Sequence, residues 1–286
     1  MREYNFLICG IPARFEAAGE LPGCEEFLPF RAADAGDETA VTCRLVWYDE
    51  QPPIAGREVY SCVGYTVYRT AKGWCYVLVQ DRSRSEAILL DACPTVGRYV
   101  LYCPASLRGE MQLWGAGLSA LLIPDLLLLS HRRLMVHASF VRWHGQGLLF
   151  TGPSGMGKST QARLWETHMG AEVLNGDRAV CEIGDEVTAW GSPWAGSSGI
   201  WRNECAPLRA IVALRQADEN TIRPLRGREA LAEMMPRMAT VPWAEEWHVR
   251  AMELAVALIG RVPVWRLSCR PDGEAAALVR QTVFGE

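Results

Sequence analysis

The sequence predicts an α/β chain whose sheet is mixed, with a β-rich module ahead of the α/β core. Three observations predict it. An apolar strand runs into a glycine loop and then a helix over Leu148–His168. Hairpin signals stand on both sides of that unit, within Leu134–Thr151 and within Ala179–Trp190. A doubly wound sheet would instead alternate strand and helix regularly. Finally, residues 1–110 carry short β-branched runs broken by Pro, Gly and charged turns.

Within 1–110 the strand candidates are Thr42–Tyr48, Glu58–Tyr68, Trp74–Gln80 and Ser85–Leu90. This segment carries no catalytic motif and reads as a substrate-recognition or scaffolding module. The core is expected over 111–286. It opens on an apolar helical stretch, 111–131, in which Leu118–Ser130 is too short to span a bilayer and is broken by Pro124 and Asp125. A buried helix or helix pair is the better reading.

A hairpin follows: Leu134–Trp143, a turn at His144–Gly147, and Leu148–Thr151. So short a link permits only antiparallel pairing. Lys158–His168 is helical and ends near Gly170, and Glu172–Leu174 is a short strand closing on Asn175-Gly176-Asp177. Ala179–Ile183 and Val187–Trp190 form a second hairpin across Gly184-Asp185. Beyond it come a strand at Ala210–Leu214, a helix at Glu229–Met238, and a long helix at Trp243–Ile259 closed by Gly260. A strand at Val262–Ser268 and a helix at Asp272–Val283 complete the expected elements.

Composition narrows the class. Nearly half the 286 residues are apolar and 22% are charged, with 29 basic and 33 acidic side chains and a net charge of −4. That balance gives no general reason to bind nucleic acid or a membrane. Ten cysteines show no C-x-x-C pair, so they read as reduced, small core hydrophobes. The start, MREYNFLICGIPARFE, is too charged for a secretory segment. A soluble, cytoplasmic protein is expected.

Gly152-Pro-Ser154-Gly155-Met156-Gly157-Lys158-Ser159 fits G-x-x-x-x-G-K-[ST] at every required position. Glycines let the backbone turn tightly and bring successive N–H groups onto phosphate oxygens, and the following helix points its N-terminus at the same anion. Residues 152 and 154–160, through Thr160, are therefore the candidate cradle of a nucleoside triphosphate. Lys158 would reach the β- and γ-phosphates, and Ser159 would ligate Mg²⁺. No N-K-x-D base reader for guanine is present, nor an apolar run closing on Asp-Glu as in motor ATPases. A small ATP-dependent transferase remains.

The stretch His137-Ala-Ser … Leu148-Leu-Phe-x-Gly-x-Ser-Gly-x-Gly-Lys-Ser, then Val173-Leu-Asn-Gly-Asp177-Arg178 and Trp190-Gly-Ser-Pro-Trp194, resembles the HPr kinase/phosphorylase group. Within it the likeness is closest to kinase homologues of ribosomally made peptide clusters, such as those for lasso peptides. The resemblance covers roughly residues 130–286 and implies a phosphoenolpyruvate carboxykinase-like fold, a mixed sheet around the loop strand. It implies that Asp177 serves as base or Mg²⁺ ligand and that His137 stands one strand before the loop. There it would face the γ-phosphate or orient Asp177. The group has two adjacent aspartates where this chain has Gly176-Asp177, which leaves the reverse, phosphorylase reaction open.

The alternatives for each residue stay open at this level. His137 could be a packed structural histidine, and Asp177 a turn former capping backbone N–H groups. Gly191–Glu204, rich in Gly and Ser and flanked by Trp190, reads as a flap over the nucleotide or as a loop stapled by its tryptophans. Within it Arg202 is a candidate for transition-state charge and Glu204 for Mg²⁺. The Arg-rich stretch Arg223–Arg237 reads as a face for an acidic peptide or, the better reading, as the solvated face of a helix. The expected activity is transfer of the γ-phosphoryl group of ATP to a hydroxyl, serine in a peptide or protein. Phosphorylation of free serine and non-catalytic ATP sensing are the rivals. The expected partners are the nucleotide and that acceptor, with no nucleic acid and no membrane, and a homo-oligomer is compatible with the sequence.

Overall fold

A computed structural model describes residues 1–21, 25–34, 41–62, 64–78, 87–108 and 124–286. The chain divides into two compact units, Met1–Ser130 and His131–Glu286. The division falls later than the expected boundary at 110, so the end of the apolar stretch belongs with the first unit.

The first unit holds one mixed sheet of eight strands: β1 (Arg2–Ile8), β2 (Ile11–Ala17), β3 (Val41–Tyr48), β4 (Arg57–Ser61), β5 (Tyr65–Arg69), β6 (Trp74–Leu78), β7 (Ile88–Cys93) and β8 (Arg98–Pro104). Their order is β1-β2-β3-β8-β7-β6-β5-β4, with β3 parallel to both β2 and β8 and the other neighbours antiparallel. The run Glu58–Tyr68, expected as one strand, is a hairpin. Gly64 has φ +114° and the Cys62 amide donates to the Tyr65 carbonyl, so the chain reverses there. Strands β1, β2 and β8 were not anticipated, although β2 alternates strictly between buried and half-buried positions. The expected strand ends Val79–Gln80 and Ser85–Glu86 lie outside the described residues, as do positions 118–123 of the apolar stretch. Its remainder is α1 (Pro124–Ser130), which begins on proline and buries Leu126–Leu129. No helix among the described residues is long and apolar enough to cross a membrane.

The second unit comprises β9 (Arg133–Trp143), β10 (Gln146–Thr151), α2 (Lys158–Met169), β11 (Glu172–Asn175), β12 (Arg178–Ile183), β13 (Val187–Trp190), β14 (Cys205–Gln216), β15 (Thr221–Leu225), α3 (Gly227–Met234), α4 (Glu245–Arg261), β16 (Val264–Cys269) and α5 (Gly273–Phe284). β10 pairs antiparallel with β9 on one side and parallel with β14 on the other. The sheet around the glycine loop is therefore mixed. The pairings β10–β9–β12–β13–β14–β10 close a circuit, and β16 and β15 extend it from β14.

The β9–β10 turn is tighter than the expected four residues. His144 and Gly145 alone make it, with φ +47° and +74°, positive at both central positions as a twisted two-residue hairpin requires. The expected helix Glu229–Met238 stops at Met234, and Met235–Arg237 tightens into a 3₁₀ turn around Pro236. α4 runs through Gly260 to Arg261. What ends it is Pro263, which holds Val262 extended. β15, also unforeseen, lies inside the stretch taken for loop and helix.

Beneath the loop, Phe150 of β10 and Trp165 of α2 are fully buried against Val279 and Ala276 of α5. Trp143 donates through Nε1 to the Met169 carbonyl at 2.9 Å and meets Phe284 edge to face at 4.8 Å. Truncating a buried aromatic of this kind costs about 3–5 kcal/mol. This packing fixes where β10 ends and α2 begins, and so where the loop between them stands.

Candidate functional site

The loop leaves β10 at Gly152 and enters α2 at Lys158. Gly155 and Gly157 have φ +75° and +102°, a left-handed backbone that a side chain would strain, and a Cβ at either would meet nothing within 4 Å. The loop therefore keeps an open, N–H-lined face ahead of the helix N-terminus, an arrangement that suits an anion. Lys158 is buried, and its Nζ donates to the Gly152 and Pro153 carbonyls at 3.3 Å each. Ser159 and Thr160 are exposed.

Strand β9 supplies the next residue. Thr151 pairs with Ala138, so His137 stands at the level where β10 gives way to the loop. Thr151 Oγ1 donates to the His137 carbonyl at 2.8 Å and ties the two strand ends together. On the other edge of β9, Asn175-Gly176-Asp177 turns from β11 into β12. The fully buried Asn175 makes that turn: its Oδ1 accepts from the Asp177 and Arg178 amides at 2.9 and 2.7 Å. Its Nδ2 donates to the Ser192 carbonyl at 2.9 Å. Ser139 Oγ donates to the Gly176 carbonyl at 2.8 Å.

Because Asn175 caps the turn, the Asp177 carboxylate is turned to side chains instead. Oδ1 lies 2.9 Å from His137 Nε2 and Oδ2 lies 3.5 Å from Arg178 Nε. Burial lowers the His137 pKa below its ordinary value, the Lys158 charge lowers it further, and Asp177 only partly opposes them. The imidazole is thus neutral at neutral pH, and its contact with Asp177 is a hydrogen bond donated by Nε2. Burial also lowers the Lys158 pKa, against a raising pull from Asp177. His137, Lys158 and Asp177 therefore share one field at the loop.

The Gly191–Glu204 segment covers this turn and is anchored along it. Ser192 and Trp194 are buried, the Trp190 indole donates to Glu182 at 2.9 Å, and Asn175 bridges to Trp201. Of the two readings of this segment, the stapled loop describes its anchors. Its tip, Gly196–Gly199, lies over the turn, where a Cβ at Gly196 would overlap Asp177 Oδ2.

Two predicted residues do not join the site. Arg202 is exposed on the segment, its backbone bonded to Leu174. Glu204 is held by Arg142 at 2.5 Å, and Arg142 also takes Glu172 at 2.7 Å. Arg142 lies opposite Gly147, at the far end of β10, five positions along β9 from His137 and so about 17 Å away. Glu204 is thus a salt-bridge partner and not a ligand beside Asp177. Among the described residues no three His, Cys, Asp or Glu side chains cluster as a metal cage.

A feature the motif reading missed lies beside the loop. Gly155, Gly157, Thr160, Gln161, Gln216 and Arg270 line a cavity of about 610 Å³ at the carboxyl ends of β14 and β16. Gln216 Nε2 donates to the Gly155 carbonyl at 3.3 Å, joining the cavity to the loop. The signal that could have found it is general: ligands of α/β sheets bind outside the carboxyl ends of parallel strands, and β10, β14 and β16 are parallel.

A protein-family model described as SynChlorMet cassette protein ScmC matches residues 125–284, more than half of the 286 residues. The chain belongs to this family. Every candidate site residue falls in the family's matched segment, and the first sheet falls outside it. The description names a cassette and no activity, so neither phosphoryl transfer nor a lasso-peptide setting follows from it. No curated protein matches the chain. Among solved structures, the Hpr(Ser) kinase/phosphatase from Coxiella burnetii is 12% identical, over 53% of this chain and 93% of that one, with a TM-score of 0.31. That likeness is too slight to bear on this chain's activity.

Proposed function

We propose that the chain is an ATP-dependent kinase that transfers the γ-phosphoryl group to a hydroxyl, a serine in a peptide or protein. The observation that carries this reading is the convergence of Lys158, His137 and Asp177 at the middle of β9, beside the glycine loop. The antiparallel partner of β10 supports a phosphoenolpyruvate carboxykinase-like core over a doubly wound one. The cavity beside the loop supplies room for the base and ribose.

Mg²⁺ is tested by the donor set. One carboxylate, Asp177, and one hydroxyl, Ser159, suit an ion that keeps its waters and is held mainly by phosphate oxygens. Those two residues would hold it, and it would neutralise phosphate charge. In the transfer, the acceptor oxygen bonds to the γ-phosphorus as the bond to the bridging β–γ oxygen breaks, and Asp177 takes the hydroxyl proton. His137, neutral and donating to Asp177, fixes the orientation of that carboxylate. ADP leaves with the bridging oxygen.

The test combines calorimetry with transfer. Wild type and Lys158→Ala are titrated with ATP–Mg²⁺, and γ-labelled ATP is supplied with a serine-containing peptide library or with free serine. An affinity at least about tenfold weaker in Lys158→Ala is expected, the scale of one charge-assisted hydrogen bond. Equal affinities would end the loop reading. Label on free serine alone would replace the peptide by a small molecule, and binding without transfer would favour a sensor.

A further inference from the structure

The stretch Arg223–Arg237 was read from the sequence as one solvated helix face, and its two ends behave differently. Arg223 lies at the surface and pairs with Glu229. Arg237 sits on the 3₁₀ turn that Pro236 imposes after α3, and the residues following it are stitched to β9. Met238 bridges Val136 in antiparallel register, and the Ala239 amide donates to the Met135 carbonyl at 3.1 Å. Arg237, the last residue of the 3₁₀ turn, therefore enters this edge of β9 one residue before the bridge, beside the level of His137.

The edge of β9 involved is decisive. Residues 133–138 of β9 pair with β12 along one edge. The Met238 bridge therefore occupies the other edge, which β10 holds from Ala138 onward. On that edge β10 ends at Thr151 and the loop departs at the level of His137. Arg237 arrives at that level from the opposite direction.

Charge completes the case. Arg237 is half-buried, and its Nε is buried with no hydrogen-bond partner among the described residues. It makes no ion pair among them, and its charge is close enough to Lys158 to lower the pKa of that ammonium. Lys158 and Arg178 face the Asp177 carboxylate, and Arg237 adds a third positive charge beside Lys158. Holding like charges together is unfavourable unless an anion joins them, and a guanidinium with an open fork suits phosphoryl oxygens.

We propose that Arg237 is a substrate-contacting residue of this site, the second cation on the terminal phosphoryl group of a bound nucleoside triphosphate. It fills the role for which the sequence nominated Arg202. The inference rests on the kinase reading above and adds to it a residue that tells a triphosphate from a diphosphate. Lys158 and the loop serve both nucleotides, whereas Arg237 serves the group that only the triphosphate carries.

The experiment measures ATP and ADP affinities of the full chain by calorimetry for wild type, Arg237→Ala and Arg237→Lys, with circular dichroism on each. Arg237→Ala is expected to weaken ATP about tenfold or more, the scale of a charge-assisted contact, and ADP less than about twofold. Arg237→Lys, which keeps the charge, falls between for ATP. Unchanged ATP affinity in Arg237→Ala overturns the proposal. Parallel losses for ATP and ADP overturn it too, because a merely structural role weakens both. Should the alanine variant not fold, the lysine variant decides alone, by whether its ATP loss exceeds its ADP loss. A wild type that binds neither nucleotide overturns the kinase reading itself, and this inference with it.

Discussion

Two stations along β9, at Arg142 near its end and at His137 in its middle, carry charge clusters of opposite design. At the Trp143 end, Arg142 is matched by Glu172 and Glu204, two carboxylates around one guanidinium with contacts of 2.7 and 2.5 Å. Around His137, Lys158 and Arg178 face the Asp177 carboxylate, and a third cation, Arg237, stands beside Lys158 with no partner among the described residues. The first cluster is closed on itself and ties β9 to β11 and to the segment before β14. The second is electrostatically incomplete and opens onto the glycine loop. Both neighbourhoods are charged, so the presence of charge does not separate them. What separates them is whether each charge already has an opposite.

The sharpest way to break this contrast is Asp177→Asn. Removing the carboxylate of the incomplete cluster is expected to lower single-turnover phosphoryl transfer by about two to four orders of magnitude, the range of a positioned base, while ATP still binds. Unaltered transfer would return Asp177 to a structural role.

The closed end predicts the converse. Glu204→Gln is expected to leave ATP affinity and Mg²⁺ dependence as in wild type. Thermal unfolding should register a loss of about 0.2–1 kcal/mol, because the pair is partly exposed. A changed Mg²⁺ requirement would restore Glu204 as a ligand and erase the contrast.

The smallest effect is on proton binding. His137 in the folded chain has a pKa below 6.5, so below that pH the unfolded chain binds the extra proton first. Its contribution to stability is present above about pH 6.5 and declines as pH falls through that value. Nuclear magnetic resonance of the His137 ring should give a midpoint below 6.5. A midpoint above it would mean that the Asp177 contact outweighs burial and Lys158, and that the pair is ionic.

Much of this was legible before any coordinates. The loop strand, the hairpin behind it, the helix ending at Gly170 and the Asp272-led last helix follow from local chemistry: apolar period, glycine at the cap, an Asp accepting from the Ala275 amide. The weaker forecasts fail where local signals compete. Glu58–Tyr68 is apolar enough for one long strand, yet Gly64 turns it back. Gly260 looked like a helix stop, while Pro263 supplied the stop instead. Asn175 was named only as part of a turn, because its work is buried hydrogen bonding to that turn and to Ser192, 17 residues on, which the β12–β13 hairpin brings back to it.

By itself, then, the sequence determined that Gly152–Ser159 is a turn of N–H groups at a helix start and that its strand has an antiparallel neighbour. Both are short-range facts: glycine spacing sets backbone dihedrals, and a tight link allows one strand direction. It could also nominate Lys158, because the loop motif fixes residue types at fixed offsets, while His137 and Asp177 were nominated by the family resemblance. Which charges meet was decided only by the tertiary structure. The bridge of Met238 to Val136 brings Arg237 to the level of the loop across a separation of a hundred residues, and Glu204 is drawn to Arg142 by the pairing of distant strands. The Coulomb interaction depends on distance in space and on what else neutralises each charge, and neither is written in the order of residues along the chain.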